Sequence, residues 1–212
     1  VNEAYEELIN SGLEIFGEYI KKIDHTLIGL SNSKFEEITH VISHPQALQQ
    51  CSKFLQDSKL RITPVFDTAG SVFEILETKD INTAAIAGEH FKNDERFKIL
   101  QENISNHKEN FTRFLLIGNE KLESNKENNK YSSVLISDDK PGSLLKALNI
   151  FSDLNINLTK LESRPILGRP WEYKFYIDYE LQNIKTQMEL IEGIKKVSKE
   201  FIILGHYPKA NP

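Results

Sequence analysis

The chain has 212 residues, of which 39% are hydrophobic and 27% are charged, so one or two domains with a buried core are expected. Its net charge of -5 argues against a nucleic-acid partner and against an anionic membrane surface, and no apolar run is long enough to span a bilayer. The single cysteine, Cys51, excludes an internal disulfide and a metal site built from several cysteines. We therefore expect a cytoplasmic protein without a metal.

Helical and strand patterns alternate through the first half of the chain. Residues 13–30 predict a strand pair or one long bent strand, and residues 97–103 predict a strand or a short helix. Other strands are predicted at 38–42, 61–66, 83–87 and 110–117, and helices at 4–11 (ended by Gly12), 46–55 (capped by Ser43) and after the cap Asp67. This alternation predicts an α/β domain over residues 1–119.

A polar segment without periodicity, residues 120–130, predicts a linker to a second domain over residues 131–212. Strands are predicted at 131–138, 156–166, 171–181 and 201–207, and helices at 143–154 and 184–199. The resulting βαββαβ order is typical of an α+β ferredoxin-like domain.

The segment Asn110-Phe111-Thr112-Arg113-Phe114 places two polar side chains between aromatics at the start of a predicted strand. Ligands of α/β sheets lie outside strand ends, where a threonine can donate a hydrogen bond and an arginine can bind a carboxylate. A surface ion pair is the alternative for the arginine, which then binds no ligand and braces the strand.

Two predicted strand-to-helix junctions could hold an anion. Ser43-His44-Pro45-Gln46 begins one helix and Asp67-Thr68-Ala69 begins another, and helix N-termini present free N–H groups. Ordinary helix caps are the alternative at both junctions. His44 has no partner at metal-ligand spacing, and Cys51 lies on the apolar face of its helix, which favours core packing over a nucleophilic role.

Two polar segments of the second domain fit an amino-acid ligand. Gly142 and Ser143 begin a predicted helix, and Glu162 and Ser163 end a predicted strand. A helix start can bind the carboxylate of an amino acid, and a glutamate or a carbonyl can bind its ammonium group. A β-turn with charged ends is the alternative.

These segments together resemble the prephenate dehydratase family over essentially the whole chain. The strings that carry the resemblance are residues 43–46 with 50–51, 67–69, 110–114, and 161–165 followed by Gly168, Pro170 and Trp171. Residues 141–144 are similar to the Gly-Ala-Leu stretch of the family's regulatory domain, with serine in place of alanine. The resemblance implies a two-lobed catalytic module of the periplasmic-binding type with its site in the cleft between the lobes, followed by an ACT domain.

The resemblance also implies a reaction and its residues. Prephenate would be converted to phenylpyruvate, water and CO2 without a cofactor, and phenylalanine would inhibit the enzyme from an interface in a homodimer or homotetramer. The implied catalytic residues are Thr112, Arg113 and Phe114, and the implied substrate-binding residues are Asn2, Ser43, His44, Gln46, Thr68, Ala69 and Asn110. Phenylalanine would lie between Gly142, Ser143 and Leu144 of one chain and Glu162, Ser163 and Arg164 of the other.

The sequence departs from the family pattern at its start. A Gly-Pro-x-Gly-Thr loop and a Glu-Asn-Ser segment are not found, and Val1-Asn2-Glu3 matches the pattern that follows them. We therefore expect that about the first third of the catalytic domain is missing from this chain. Two other functions stay open: an arogenate dehydratase, and a non-catalytic fragment that senses phenylalanine.

Overall fold

The computed structural model describes residues 2–119 and 129–211, without the side chains of residues 2–4 and 170. It divides into two compact units: Lys21–Thr112, and Val1–Ile20 together with Arg113–Pro212. The predicted linker lies outside the described residues except for its last two positions, and so does the side chain of Asn2. The domain boundary predicted near residue 120 stays a prediction.

The unit Lys21–Thr112 is built on a five-stranded sheet with the order β4-β3-β5-β2-β6. Its strands are β2 (His25–Leu30), β3 (His40–Ser43), β4 (Arg61–Pro64), β5 (Thr83–Gly88) and β6 (Phe97–Gln101). Its helices are α2 (Pro45–Gln50), α3 (Ser52–Ser58) and α4 (Thr68–Thr78), with two short 3-10 turns at Phe35–Glu37 and Glu89–Phe91. β3 runs parallel to β4 and β5, whereas β2 runs antiparallel to β5 and β6.

Side chains on both faces of this sheet are buried. Leu27 packs with residues of α2 and α3 on one face, and the next residue, Ile28, packs with residues of α4 on the other. Successive strand residues point to opposite faces, so β2, which is buried at every position, is apolar from Leu27 to Leu30 after two polar residues.

The second unit contains a six-stranded sheet with the order β7-β1-β11-β8-β10-β9. Its strands are β1 (Glu14–Lys22), β7 (Phe111–Gly118), β8 (Lys130–Ile136), β9 (Asn157–Ile166), β10 (Arg169–Glu180) and β11 (Glu200–Tyr207). Its helices are α1 (Asn2–Ser11), α5 (Ser143–Asp153) and α6 (Ile184–Lys195). α5 and α6 pack on one face of the sheet and α1 packs on the other. The order from β8 to β11 is βαββαβ, which confirms the α+β prediction for this region.

Three predictions from the sequence are wrong. Residues 13–30 form two strands, but they do not pair, because β1 joins the six-stranded sheet and β2 the five-stranded one. The helix predicted over 46–55 is broken at Cys51, whose φ of -113° and ψ of 16° depart from helical values. The cap of α2 is His44 rather than Ser43, because the His44 ring accepts the Gln46 N–H.

Candidate functional site

Several predicted binding residues come together at one edge of the five-stranded sheet. The carboxyl ends of parallel strands lie at the same edge, and β3, β4 and β5 are parallel neighbours. α2 follows β3 and α4 follows β4 after only a few residues, so both helices begin at this edge. The predicted residues that this topology places there are Ser43, His44, Gln46, Thr68 and Ala69.

The two helix starts are capped by side chains of the chain itself. His44 Nδ1 accepts a hydrogen bond from the Gln46 N–H at 3.2 Å, and the Asp67 carboxylate accepts one from the Gly70 N–H at 2.5 Å. Ser43 is fully buried, and its hydroxyl donates to the Ile86 carbonyl at 2.6 Å. The Ser43 proton therefore serves the pairing of β3 with β5, and a binding role for Ser43 stays a prediction.

A chain of hydrogen bonds connects Asn110 to two residues that were not predicted as site residues. Asn110 Nδ2 donates to Gln50 Oε1 at 3.2 Å, and His25 Nε2 lies 2.7 Å from the same oxygen. Next to them lies a cavity of about 200 Å³, whose lining residues are Gln50, Ser105, His107, Glu109 and Asn110. A signal for His25 exists in the sequence, because it is a polar residue that leads directly into an apolar strand.

Thr112 lies two residues beyond Asn110, at the start of β7. Its side chain is exposed, and its hydroxyl forms no hydrogen bond with any residue in the ranges 2–119 and 129–211. Residues two apart in an extended segment face the same side, so the Thr112 hydroxyl and the Asn110 amide share one side of the chain. Phe114 follows on that side and is 48% exposed. Thr112 can therefore donate a hydrogen bond to a ligand without breaking one in the protein.

Arg113 points to the opposite face, where it contacts carboxylates of the protein. Its Nε lies 2.5 Å from Glu18 Oε2 and forms an ion pair with that oxygen rather than a hydrogen bond. Its Nη1 donates a hydrogen bond to Asp178. Its Nη2 donates to the Tyr207 hydroxyl at 2.6 Å. These contacts favour the role of bracing the strand over the role of binding a ligand carboxylate.

The same network contains a buried lysine and a buried glutamate. Lys130 Nζ donates to both oxygens of Glu18 at 3.0 Å, and the Ala210 N–H donates to one of them at 3.0 Å. Burial alone would raise the pKa of Glu18, but the hydrogen bonds from Lys130 and Ala210 and the charge of Arg113 hold it below its usual value. Glu18 is therefore ionised at neutral pH.

The second unit contains a cavity of about 390 Å³ at the start of α5. Gly142 precedes the helix with a φ of +79°, a conformation that glycine adopts without strain. The lining residues are Ser137, Asp138, Asp139, Lys140, Gly142, Ser143, Leu144, Leu145, Trp171 and Tyr173. Three predicted phenylalanine-site residues are among them, whereas the two aspartates and the two aromatics were not predicted.

The other three predicted residues of that site lie on β9 and do not line this cavity. Ser163 pairs with Phe175, which faces α5 and α6, and Glu162 pairs with Tyr176, which faces α1. Glu162 and Arg164 therefore share the face opposite to Ser163, and they form an ion pair with each other. Burial would raise the pKa of Glu162, but hydrogen bonds from Lys160 and Arg164 lower it.

Cys51 has the environment of a core residue. It is fully buried in the cluster beneath α2 and α3. Burial raises the pKa of its thiol to about 12, so the nucleophilic thiolate is scarcely populated at neutral pH. None of the described helices has the length and apolar composition needed to cross a membrane.

Comparison with known proteins decides the family. The sequence profile described as "Prephenate dehydratase" matches residues 1–122. The chain belongs to the prephenate dehydratase family. The resemblance inferred from the motifs is thereby confirmed, and with it the enzyme class.

Relatives of this prephenate dehydratase family member extend the match beyond residue 122. A prephenate dehydratase of Methanocaldococcus jannaschii is 39% identical over 198 residues, which is 92% of this chain and 71% of that protein. The bifunctional chorismate mutase/prephenate dehydratase of Escherichia coli K12 is 31% identical over all of this chain and 55% of its own length. The chain therefore spans little more than half of the bifunctional relative.

A solved structure supports the assignment of the fold. The prephenate dehydratase of Arthrobacter aurescens in complex with L-Phe superimposes with a TM-score of 0.82 at 25% identity, over 93% of this chain and 67% of that one. The match covers both the five-stranded sheet and the βαββαβ region. The chain thus has the fold of the prephenate dehydratase family, with an ACT-like α+β region at its C-terminal end.

Proposed function

We propose that the full-length protein converts prephenate to phenylpyruvate, water and CO2. The proposed reaction is that of the family to which the chain belongs. The main observation in support of the site is that the Thr112 hydroxyl is exposed and forms no hydrogen bond with any described residue. Arogenate, the amino-acid analogue of prephenate, is the rival substrate, since the motif residues do not separate the two.

The reaction requires little of the protein beyond hydrogen-bond donors placed around the two carboxylates and the departing hydroxyl of the substrate. Prephenate carries two carboxylates and a ring hydroxyl, and loss of CO2 and hydroxide makes the ring aromatic, so the driving force lies in the substrate. Thr112 donates a hydrogen bond to the departing hydroxyl, because a threonine hydroxyl is too weak an acid to transfer its proton outright. At the starts of α2 and α4, the N–H groups that the His44 and Asp67 side chains do not engage would donate to the carboxylates. The reaction needs no electron sink, so the proposal includes no cofactor.

The finer features of the fold belong to the same proposal. The five-stranded unit would be one lobe of a catalytic module of the periplasmic-binding type, and residues 131–212 would form an ACT domain after a linker at 120–130. A cytoplasmic location is supported by the single buried cysteine, which suits a reducing compartment.

The cavity at the start of α5 has the chemistry for phenylalanine. Free N–H groups at the helix start suit the ligand carboxylate, Asp138 or Asp139 suits the ammonium group, and Trp171 with Tyr173 suits the ring. Its volume of about 390 Å³ falls within the usual range for small-molecule sites. The β9 residues Glu162, Ser163 and Arg164 would come from the second chain of a homodimer or homotetramer, as they do not line this cavity within one chain.

A direct comparison of substrates tests the reaction. Initial rates of the full-length protein are measured with prephenate and with arogenate under matched conditions, and product is followed as phenylpyruvate or phenylalanine. We expect kcat/KM for prephenate to exceed that for arogenate by about tenfold or more, because a site matched to one polar group penalises its replacement. A preference for arogenate would establish the rival enzyme, and no turnover of either would favour a phenylalanine sensor.

A further inference from the structure

His25 is held rigidly at the edge of the sheet that carries the candidate site. It is the first residue of β2 and pairs with Gly88 at the carboxyl end of β5. Its backbone N–H donates to Ser105 Oγ at 3.3 Å, and its carbonyl accepts from the Ile104 N–H at 3.2 Å. The residue is only 5% exposed, so its ring occupies a fixed place behind the surface.

The hydrogen bonds of the ring define its proton position. Gln50 Oε1 accepts from Asn110 Nδ2 and lies 2.7 Å from His25 Nε2. With the Gln50 oxygen facing the ring, a carboxamide oxygen can only accept, so His25 Nε2 is the donor in this arrangement. Nδ1 is buried without a hydrogen-bond partner among the described residues.

A role in packing alone does not account for this histidine. A buried polar atom without a partner destabilises the fold, and an apolar side chain of similar size would avoid that cost. The contact between Nε2 and Gln50 Oε1 is the one that an apolar side chain could not make.

The Gln50 and Asn110 amides keep one polar atom each for a ligand. No hydrogen bond within residues 2–119 and 129–211 uses Gln50 Nε2 or Asn110 Oδ1, and both residues line the 200 Å³ cavity. A carboxamide that rotates by half a turn exchanges its donor and acceptor, and only a fixed neighbour selects one orientation. A proton on His25 Nε2 makes the ring such a neighbour, because it selects the orientation in which the Gln50 oxygen faces the ring.

We propose that His25 is a positioning residue for the substrate site. Its Nε2–H locks the Gln50 carboxamide, and through it Asn110, so that the cavity receives a donor from Gln50 and an acceptor from Asn110. This pair matches a substrate group that both accepts and donates hydrogen bonds, as a hydroxyl does. The inference rests on the proposed function, and it adds a residue that does not itself touch the substrate.

Three substitutions separate this role from a packing role. His25→Gln keeps a donor near the Nε2 position, His25→Asn keeps polar atoms near Nδ1 only, and His25→Leu keeps volume alone. We expect kcat/KM for prephenate to stay within about threefold of wild type in His25→Gln and to fall about 10- to 100-fold in the other two, since loss of orientation is costly. Wild-type rates in His25→Leu, or a better rate in His25→Asn than in His25→Gln, would overturn the proposal.

Two further measurements do not depend on those variants alone. In a Gln50→Leu background, His25→Leu should lower kcat/KM by no more than about twofold, because coupled residues are not additive; a full, independent loss would contradict the proposal. In the wild-type protein, 15N spectra of the neutral imidazole should show the proton on Nε2, and a proton on Nδ1 would overturn the argument. If the wild-type protein does not turn over prephenate, the proposed function fails. The 15N measurement of the tautomer would still test whether His25 donates to Gln50.

Discussion

At the scale of the residue, Thr112 and Arg113 point to opposite faces of β7 and have different roles. Thr112 is exposed and unengaged among the described residues, while Arg113 contacts Glu18, Asp178 and Tyr207. Strand alternation alone produces this division, because successive side chains point to opposite faces. One residue is thus available for chemistry and the next secures the strand that presents it.

Removal of the Thr112 hydroxyl should lower turnover with little change in substrate affinity. We expect Thr112→Ala to lose about a hundredfold or more in kcat, comparable to the loss of one oxyanion-hole donor, and Thr112→Ser to retain most of it. Thr159→Ala, on the exposed edge strand β9, is the matched control and should behave as wild type. An unchanged kcat in Thr112→Ala would remove Thr112 from the mechanism.

At the scale of the element, a buried polar network ties five strands of the six-stranded sheet together. Glu18 of β1 is fully buried at its side chain and receives Lys130 of β8, and Arg113 of β7 adds a second cation. Asp178 of β10 accepts from Ser132 of β8 at 2.6 Å, and the same serine lies 2.5 Å from the hydroxyl of Tyr207 on β11. Burial raises the pKa of Tyr207, so its hydroxyl stays protonated and can donate.

Neutralising Glu18 should therefore destabilise the fold. Glu18→Gln preserves shape but leaves Lys130 without its anion and removes one of the two carboxylates that Arg113 contacts, and breaking a buried ion pair costs about 3–5 kcal/mol. Glu14→Gln, at the exposed start of the same strand, is the control. Urea unfolding of both variants gives the comparison, and equal unfolding free energies would show that the network adds no stability.

The contribution of Glu18 should also depend on pH in a defined direction. Its folded-state pKa lies below the ordinary value of 4.5, so the stabilisation is complete above that pH and is lost as pH falls through the folded pKa. The difference in unfolding free energy between wild type and Glu18→Gln should be constant between about pH 6 and pH 7 and shrink toward about pH 3. A difference that grows on acidification would reverse the assigned pKa shift.

At the scale of the whole molecule, a phenylalanine site in the ACT-like region would let the product of the pathway control the enzyme. Such control is a coupling free energy between two distinct sites, and it requires that phenylalanine binds one arrangement of the subunits better than another. The cavity at the start of α5 offers a direct optical reporter of binding, because Trp171 lines it and is the chain's one tryptophan.

Binding of phenylalanine should change the fluorescence of Trp171. The side chain is 77% exposed, so a ring that packs against it would displace water and shift the emission to shorter wavelength. L-phenylalanine should give a saturable change, and D-phenylalanine, with its reversed geometry around the ammonium and carboxylate groups, should give a much weaker one. Identical responses to the two enantiomers, or none, would exclude this cavity as the site.

Helices and strands were predicted from the sequence more reliably than the pairing of the strands within sheets. The βαββαβ order followed from local periodicity, which needs only neighbouring residues. The pairing of β1 with β11 and the separation of β1 from β2 depend on contacts between residues about 190 positions apart, which no local pattern contains.

In the candidate site, too, residues in local motifs were predicted, whereas residues joined by long-range contacts were not. Thr112, Asn110 and the two helix starts were predicted from strings of adjacent residues. His25 and Gln50 were not predicted as site residues, because their hydrogen bond joins residues far apart in the chain. Glu18 and Asp178 were missed although each is a charge inside an apolar strand, a pattern that indicates a buried ion pair.

The most direct test of the account is the rate of phenylpyruvate formation from prephenate by the full-length protein, measured with increasing L-phenylalanine and with D-phenylalanine as the control. We expect turnover that L-phenylalanine suppresses and D-phenylalanine does not. Turnover that is indifferent to L-phenylalanine would contradict control through the ACT-like region, and no turnover at any phenylalanine concentration would contradict the proposed reaction itself.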